Sequence, residues 1–300
     1  MNMYDCLIIG GGIAGLQAAI QLGRYNHKIL VLDAGDGRSA ICKSYHNILG
    51  YPDGISGPEL REIGRQQAEK YGVEFIIGKA AKASKTESGF EIESDGGLTY
   101  KAKRLLLATG IMDRIPPFPE LMPTLGISVY VCPDCDGYEV KDKSTIVMGA
   151  GNVGANMALT LSYFTDEITF VNHEGTEVDD DKRAAMREKG IQYAEEPIEK
   201  VLAYGPDFKG VQLSNGEQLS SERGFIAFGG NEVKSQLAHQ LGVDLHKNKH
   251  VLVDPRTKMT NVENVWAAGD VVAHSEQVTI ALGDGMQASI WIHKTLLAEK

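Results

Sequence analysis

Leu7-Ile8-Ile9-Gly10-Gly11-Gly12-Ile13-Ala14-Gly15 carries an apolar run straight into three glycines and then into helix-forming residues. An apolar run of that length, stopped by glycine, reads as a strand buried on both faces. Gly10, Gly12 and Gly15 fit the pattern G-x-G-x-x-G. In that motif the first glycine makes the turn, the second lets a pyrophosphate approach the backbone, and the third packs helix on strand. Residues 16–24 continue as a helix, and residues 28–32 form a second β-rich run ending in Asp33. An acidic side chain there hydrogen-bonds a ribose hydroxyl, while the pyrophosphate rests on unpaired N–H groups at the helix N-terminus. Strand, glycine turn, helix and strand together predict a dinucleotide-binding βαβ unit.

Shifted by 139, the design recurs without a gap. Ile146-Val147-Met148 leads into Gly149-Ala150-Gly151-Asn152-Val153-Gly154, then a helical stretch, then a β-rich run from Ile168 to Val171 that ends in Asn172. The candidate residues of this second nucleotide site are Gly149, Gly151, Asn152, Val153, Gly154 and Asn172. One position separates the copies: where the first has Asp33, the second has Asn172, followed by His173 and Glu174.

Two further segments read as strands of the first unit. Leu105-Leu106-Leu107-Ala108-Thr109-Gly110 is an apolar run closing in small residues, and Val265-Trp266-Ala267-Ala268-Gly269-Asp270 is another. Between them lie a proline-rich connector, Ile115-Pro116-Pro117-Phe118-Pro119, and the whole second βαβ unit. The polar stretch from His246 to His250 marks the expected return. The predicted fold class is α/β, with two Rossmann-type (three-layer ββα) domains, the second inserted into the first. Residues 1–114 and 247–300 form one, and residues 115–246 the other.

Composition narrows the function. The chain has 34 glycines in 300 residues, against the roughly 21 that ordinary usage of about 7% would give; without a Gly-X-Y period, the excess points to tight turns. A net charge of −10 argues against nucleic acid, whose phosphates need a basic face. No stretch approaches the ~18 consecutive apolar residues of a membrane span. The first strand begins almost at Met1, which leaves no room for a leader. The expectation is a soluble, cytoplasmic protein.

Four cysteines are too few for a disulfide scaffold: Cys6, Cys42, Cys132 and Cys135. Cys132-Pro133-Asp134-Cys135 is a single C-x-x-C. A structural zinc needs two more ligands at suitable spacing, and no second C-x-x-C or H-x3-H supplies them, so a redox dithiol is expected and no metal site. C-x-x-C motifs lower a thiol pKa, and the pair can exchange two electrons. Proton transfer then needs a nearby acid, and Asp136 is adjacent. Cys6, inside a strand, reads as a small buried hydrophobe. Cys42 reads as incidental rather than accessory, and His274 as a surface or capping residue within possible reach of the site.

The order of these motifs resembles the thioredoxin reductase-like flavoproteins, low-molecular-weight pyridine nucleotide–disulfide oxidoreductases. The residues that carry the likeness are the first glycine motif, Ala108-Thr109-Gly110, Cys132-Pro133-Asp134-Cys135-Asp136-Gly137, the second glycine motif, Ala268-Gly269-Asp270 and Gln277-Val278. The resemblance implies FAD on the first domain. Gly10, Gly12, Ile13, Ala14 and Gly15 would line its pyrophosphate and Asp33, with Ala34, its adenosine ribose. Asn47, Thr109, Gly110, Gly269, Asp270, Gln277 and Val278 match further flavin-contact positions. It also implies that Cys135 faces the flavin while Cys132 attacks the substrate disulfide. A homodimer and a thioredoxin-like protein or small disulfide as partner are expected on the same ground.

The chain departs from its family in the second domain. NADPH-dependent members carry His-Arg-Arg-x-x-x-Arg after the second strand, and the arginines hold the 2′-phosphate. Here those positions are Asn172, His173, Glu174 and Val178, followed by Asp179-Asp180-Asp181. Losing several charge-assisted bonds, at about 1.5–3 kcal/mol each, argues against NADPH as ordinary donor. Glu276 likewise stands where the family has arginine. NADH, ferredoxin or a second flavin remain open as donors. So does the reverse reaction, a dithiol oxidase passing electrons to oxygen, since Gly137-Tyr138-Glu139 matches the end of that group's motif although Asp136 replaces its histidine. A non-catalytic flavin redox sensor or electron carrier is the reading from another class.

Overall fold

The structure, a computed structural model, describes residues 3–299. It divides into two compact units. The first runs to Ala40, resumes over Gly57–Met112 and again from Glu232; the second comprises Ile41–Ser56 and Asp113–Asn231.

The first stretch of chain forms β1 (Met3–Ile9), α1 (Ile13–Arg24), β2 (Ile29–Asp33), a short α2 (Arg38–Ile41), α3 (Gly57–Glu69) and β3 (Glu74–Ile77). An antiparallel ribbon follows: β4 (Ala80–Thr86), β5 (Gly89–Ser94) and β6 (Thr99–Leu107), then β7 (Ile111–Met112). The second unit contributes β8 (Val129–Tyr130), α4 (Pro133–Asp136), β9 (Thr145–Gly149), α5 (Gly151–Leu161), β10 (Ile168–Asn172), α6 (Asp180–Glu188) and β11 (Gln192–Ala194). It ends with β12 (Ile198–Tyr204), β13 (Asp207–Leu213), β14 (Gln218–Ser220) and β15 (Arg223–Ala227). The chain returns to the first unit through β16 (Glu232–Val233), α7 (Gln236–Gln240), β17 (Val265–Ala267) and α8 (Val278–Leu297).

In the first unit the parallel strands run in the order β3-β2-β1-β6, with β17 also on β6. The N-terminal half of β6 pairs instead with β5, antiparallel. The second unit has a parallel sheet, β11-β10-β9-β15-β8, and a separate antiparallel β12-β13-β14. Both parallel sheets are Rossmann-type, as the sequence predicts.

Burial on both faces explains the unbroken apolar runs. Along β1, Cys6 and Ile8 point into one layer with Ala18, Leu22 and Trp266, whereas Leu7 and Ile9 point into the other with Phe90, Ile92 and Leu105. Each buried Leu or Ile contributes about 1.5–3 kcal/mol, which fixes the register of β1 between β2 and β6. Helix α1 stops at Tyr25, where Asn26 takes φ +58°. Asparagine is one of the few side chains that tolerates this left-handed position.

The unit boundary differs from the expected one. Residues 232–246 belong to the first unit, because β16 pairs with β7 and Leu237, Ala238 and Val243 enter its core. The polar residues His246 to His250 form a hairpin turn, closed by a bridge between Leu245 and Val251, rather than a crossing.

Candidate functional site

The first glycine turn is shaped by close approaches. Gly10 has φ +106°, and a Cβ there would collide with the carbonyl of Ala108 on the neighbouring strand end. A Cβ on Gly15 would collide with the carbonyl of Gly10. Gly12 is different: a Cβ there would meet no protein atom within 4 Å. The turn therefore needs Gly10 and Gly15 for its own packing, while Gly12 leaves open space beside the start of α1, where Ile13 and Ala14 are buried.

Asp33 closes this turn. One carboxylate oxygen accepts from the Gly11 N–H at 3.0 Å, and the other accepts from Arg61 at 2.6 Å. A cavity of about 290 Å³ opens beside it, lined by Gly11, Asp33, Arg61, Arg65, Phe75 and Ile77. Ala34 is exposed just past β2. Arg61, on α3, lines this cavity and is not revealed by the sequence motif.

The Gly269-Asp270 turn lies against the first turn of α1, since a Cβ on Gly269 would sit 2.8 Å from the Ala14 Cβ. The Gly269 N–H donates to Asp284 at 3.1 Å, and Asp284 also holds Lys258 at 2.7 Å and His274 at 2.6 Å. Burial alone would raise the Asp284 pKa, but the bonds from His274 and Lys258 hold it below the usual range. The other ring nitrogen of His274 meets the Ser275 carbonyl at 2.8 Å. Both ring nitrogens thus face acceptors, which favours imidazolium, and the Asp284 bond raises the pKa accordingly. Asp270 is ion-paired with Arg38, which also holds Glu276. The Thr109 hydroxyl donates to the Lys234 carbonyl at 2.6 Å, and Gly110 takes φ +67°. Gln277 stands at the N-cap position of α8, and Val278 opens the helix against the core. Asn47 lies exposed in the segment that groups with the second unit.

These features fit FAD. A dinucleotide needs an open glycine turn at a helix start, an acidic strand end and a cavity alongside, and the first unit has all three.

In the second unit Cys132 and Cys135 form a disulfide. Cys132 precedes Pro133, the first residue of α4, and its sulfur accepts from the Cys135 N–H at 3.2 Å. Gly137 is needed because the Phe164 ring packs where a Cβ would be. Burial, and secondarily the charge of Glu139, pushes the Asp136 carboxyl up to about 7. A proton can therefore enter or leave this group near neutrality. Cys6 is fully buried, which pushes its thiol up. Cys42 is half-buried against the Ser44 carbonyl. No three His, Cys, Asp or Glu side chains among the described residues are grouped to hold a metal, and no helix there is long and apolar enough to cross a membrane.

Residues 4–285 match the pyridine nucleotide-disulphide oxidoreductase family. The chain belongs to that family. Its relatives include the thioredoxin reductase of Aquifex aeolicus, 30% identical over 100% of this chain and 95% of that protein. Among solved structures, a putative thioredoxin reductase from Bacillus anthracis superposes with TM-score 0.86 at 28% identity, covering 99% of each chain. HlmI superposes with TM-score 0.88 at 28% identity, covering 99% of this chain and 93% of its own. With the disulfide in place, the chain is a disulfide oxidoreductase of the thioredoxin reductase type.

Proposed function

We propose that this family member binds FAD in its first unit and moves two electrons between the flavin and Cys132–Cys135, and on to a thioredoxin-like protein or small disulfide. The observation that carries this is the disulfide itself, flanked by a carboxyl poised near neutrality. Gly10, Gly12, Ile13, Ala14 and Gly15 would hold the pyrophosphate and Asp33 the adenosine ribose. Thr109, Gly110, Gly269, Asp270, Gln277, Val278 and Asn47 would hold the flavin half. Bound FAD supplies the two-electron couple that opens or closes the disulfide.

In the reduced pair, the Cys132 thiolate attacks one sulfur of the substrate disulfide and expels the other as thiolate. Cys135 then attacks Cys132 in the mixed disulfide, closing the ring and releasing the second substrate thiol. The substrate gains two electrons and two protons. Asp136, protonated about half the time near pH 7, supplies or retrieves a proton at the Cys135 side. The same steps run backwards oxidise a substrate dithiol. NADPH is disfavoured as donor by Glu174 and Val178 at the phosphate-binding positions.

The test is Cys132→Ser. The variant should remain yellow and lose disulfide exchange at least a hundredfold. Full turnover in the variant, or a colourless wild type that refuses FAD, would overturn the reading.

A further inference from the structure

The two glycine turns are nearly identical in sequence and different in surroundings. At Gly151, which corresponds to Gly12, a Cβ would lie 2.9 Å from the Glu177 carbonyl oxygen and 3.0 Å from the Thr176 side chain. At Gly12 the same position is empty. The second glycine of the motif exists to let pyrophosphate reach the backbone; here the chain's own carbonyl oxygen has taken that approach.

The covering segment runs from Asn172 to Asp179 and is fastened at several points. Asn172 is 1% exposed. Its side-chain oxygen accepts from the Gly151 N–H at 2.9 Å, and its side-chain NH2 donates to the Thr176 carbonyl at 2.7 Å and to the Tyr193 hydroxyl at 3.0 Å. Both its donors are thereby used, so it has no N–H left for a ribose. The Asp179 N–H donates to Asn152 at 2.9 Å, and Val178 is buried. His173 accepts from the Ile198 N–H at 2.8 Å through Nδ1, and burial lowers its pKa, so the ring is neutral. Glu174 is ion-paired with Arg114. Its carboxylate occupies the position that must carry positive charge for a 2′-phosphate.

We propose that the segment Asn172–Asp179 is a fixed cover over the second glycine turn, so that this unit binds neither NADH nor NADPH. The bound flavin serves as one reporter, so this inference rests in part on the proposed function. Its first test does not: equilibrium dialysis of the purified holoprotein against NADH and against NADPH. No saturable binding is expected up to about 1 mM, the upper end of ordinary Michaelis constants. Saturable binding of either below that concentration overturns the proposal. In an anaerobic cuvette neither nucleotide should bleach the flavin, whereas dithiothreitol should. Bleaching by a nucleotide also overturns the cover, and leaves the disulfide chemistry standing. Failure of dithiothreitol to bleach would instead sink the proposed function and leave the cover to the dialysis.

A variant tests the cause. Asn172→Asp keeps the acceptor for Gly151, recreates the acidic strand end of the first unit, and turns the bond to the Thr176 carbonyl into a contact between acceptors, while the Tyr193 hydroxyl, which donates to Glu195, gains a second acceptor to serve. The cover should loosen, and NADH binding should rise at least tenfold. A variant that melts like wild type and still binds no NADH would show that the cover is not the bar.

Discussion

Asp136→Asn separates a part-buried acid that titrates near neutrality from an ordinary carboxylate. The Asp136 carboxyl ionises near pH 7 in the folded chain, and near pH 4 when exposed. Its folded-state pKa is raised, so its contribution to stability is fully present below about pH 4 and is lost as pH rises through 7. At about 1.4 kcal/mol per tenfold, the complete loss is roughly 4 kcal/mol. Between pH 5 and pH 8 the folded state loses about 2.5 kcal/mol of this. Asparagine cannot ionise. The stability of Asp136→Asn relative to wild type should therefore improve by about 2.5 kcal/mol over that range, whatever constant offset the substitution adds. For the unit that carries Asp136 this is roughly 5–10 °C in Tm.

The assay is thermal unfolding of the oxidised holoprotein at four pH values between 5 and 8. Comparison with wild type at each pH cancels the other titrating groups. Parallel Tm curves, agreeing within about 2 °C after the offset, would refute the raised Asp136 pKa. Disulfide exchange provides an independent reading, since loss of a positioned proton donor typically costs 10²- to 10⁴-fold, that is about 3–5.5 kcal/mol. Wild-type activity should inflect near pH 7, and the inflection should vanish in the variant.

Three more substitutions address the first unit. Gly12→Ala meets no protein atom, so the apoprotein should melt within about 2 °C of wild type while FAD binding falls at least tenfold, or about 1.4 kcal/mol. Gly15→Ala, which collides with the Gly10 carbonyl, should instead destabilise the apoprotein by about 1–3 kcal/mol; equal behaviour of the two variants would remove the distinction between packing and ligand approach. Arg61→Met removes a charge-assisted bond to Asp33 worth about 1.5–3 kcal/mol, and should weaken FAD about tenfold or more. FMN, which lacks the adenosine half, should bind unchanged. An equal loss for both flavins in a fluorescence titration would make Arg61 merely structural.

What the sequence discloses follows the range of the interactions. Both βαβ openings are legible because strand, turn and helix are contiguous and each glycine answers a local need. C-x-x-C-D-G is legible for the same reason, although only the structure shows that Phe164 demands the glycine. Arg61 is invisible, because it reaches Asp33 from a helix 28 positions away and its spacing on α3 is that of any surface arginine. The boundary at 231/232 is invisible too, since β16 has only two residues and no alternation to read, while its pairing partner β7 lies far back in the chain.

The second glycine turn shows the limit most sharply. Its glycines pass every local test that those of the first one pass, down to the third, which admits the Phe170 ring. Yet a glycine without side chain serves two masters: it can make room for a ligand or for its own chain. Gly12 and Gly151 cannot be told apart by type or by spacing. The deciding residue is at the strand end. Asp33 can only accept, so it closes its turn through Gly11 and recruits a cation, Arg61, leaving the approach to Gly12 open. Asn172 accepts and donates at once, so it closes its turn through Gly151 and holds the Thr176 carbonyl, which sets the Thr176 side chain and the Glu177 carbonyl against Gly151. An exchange of one carboxylate for one amide thus goes with a turn left open at its second glycine in one copy and a turn filled by the chain itself in the other.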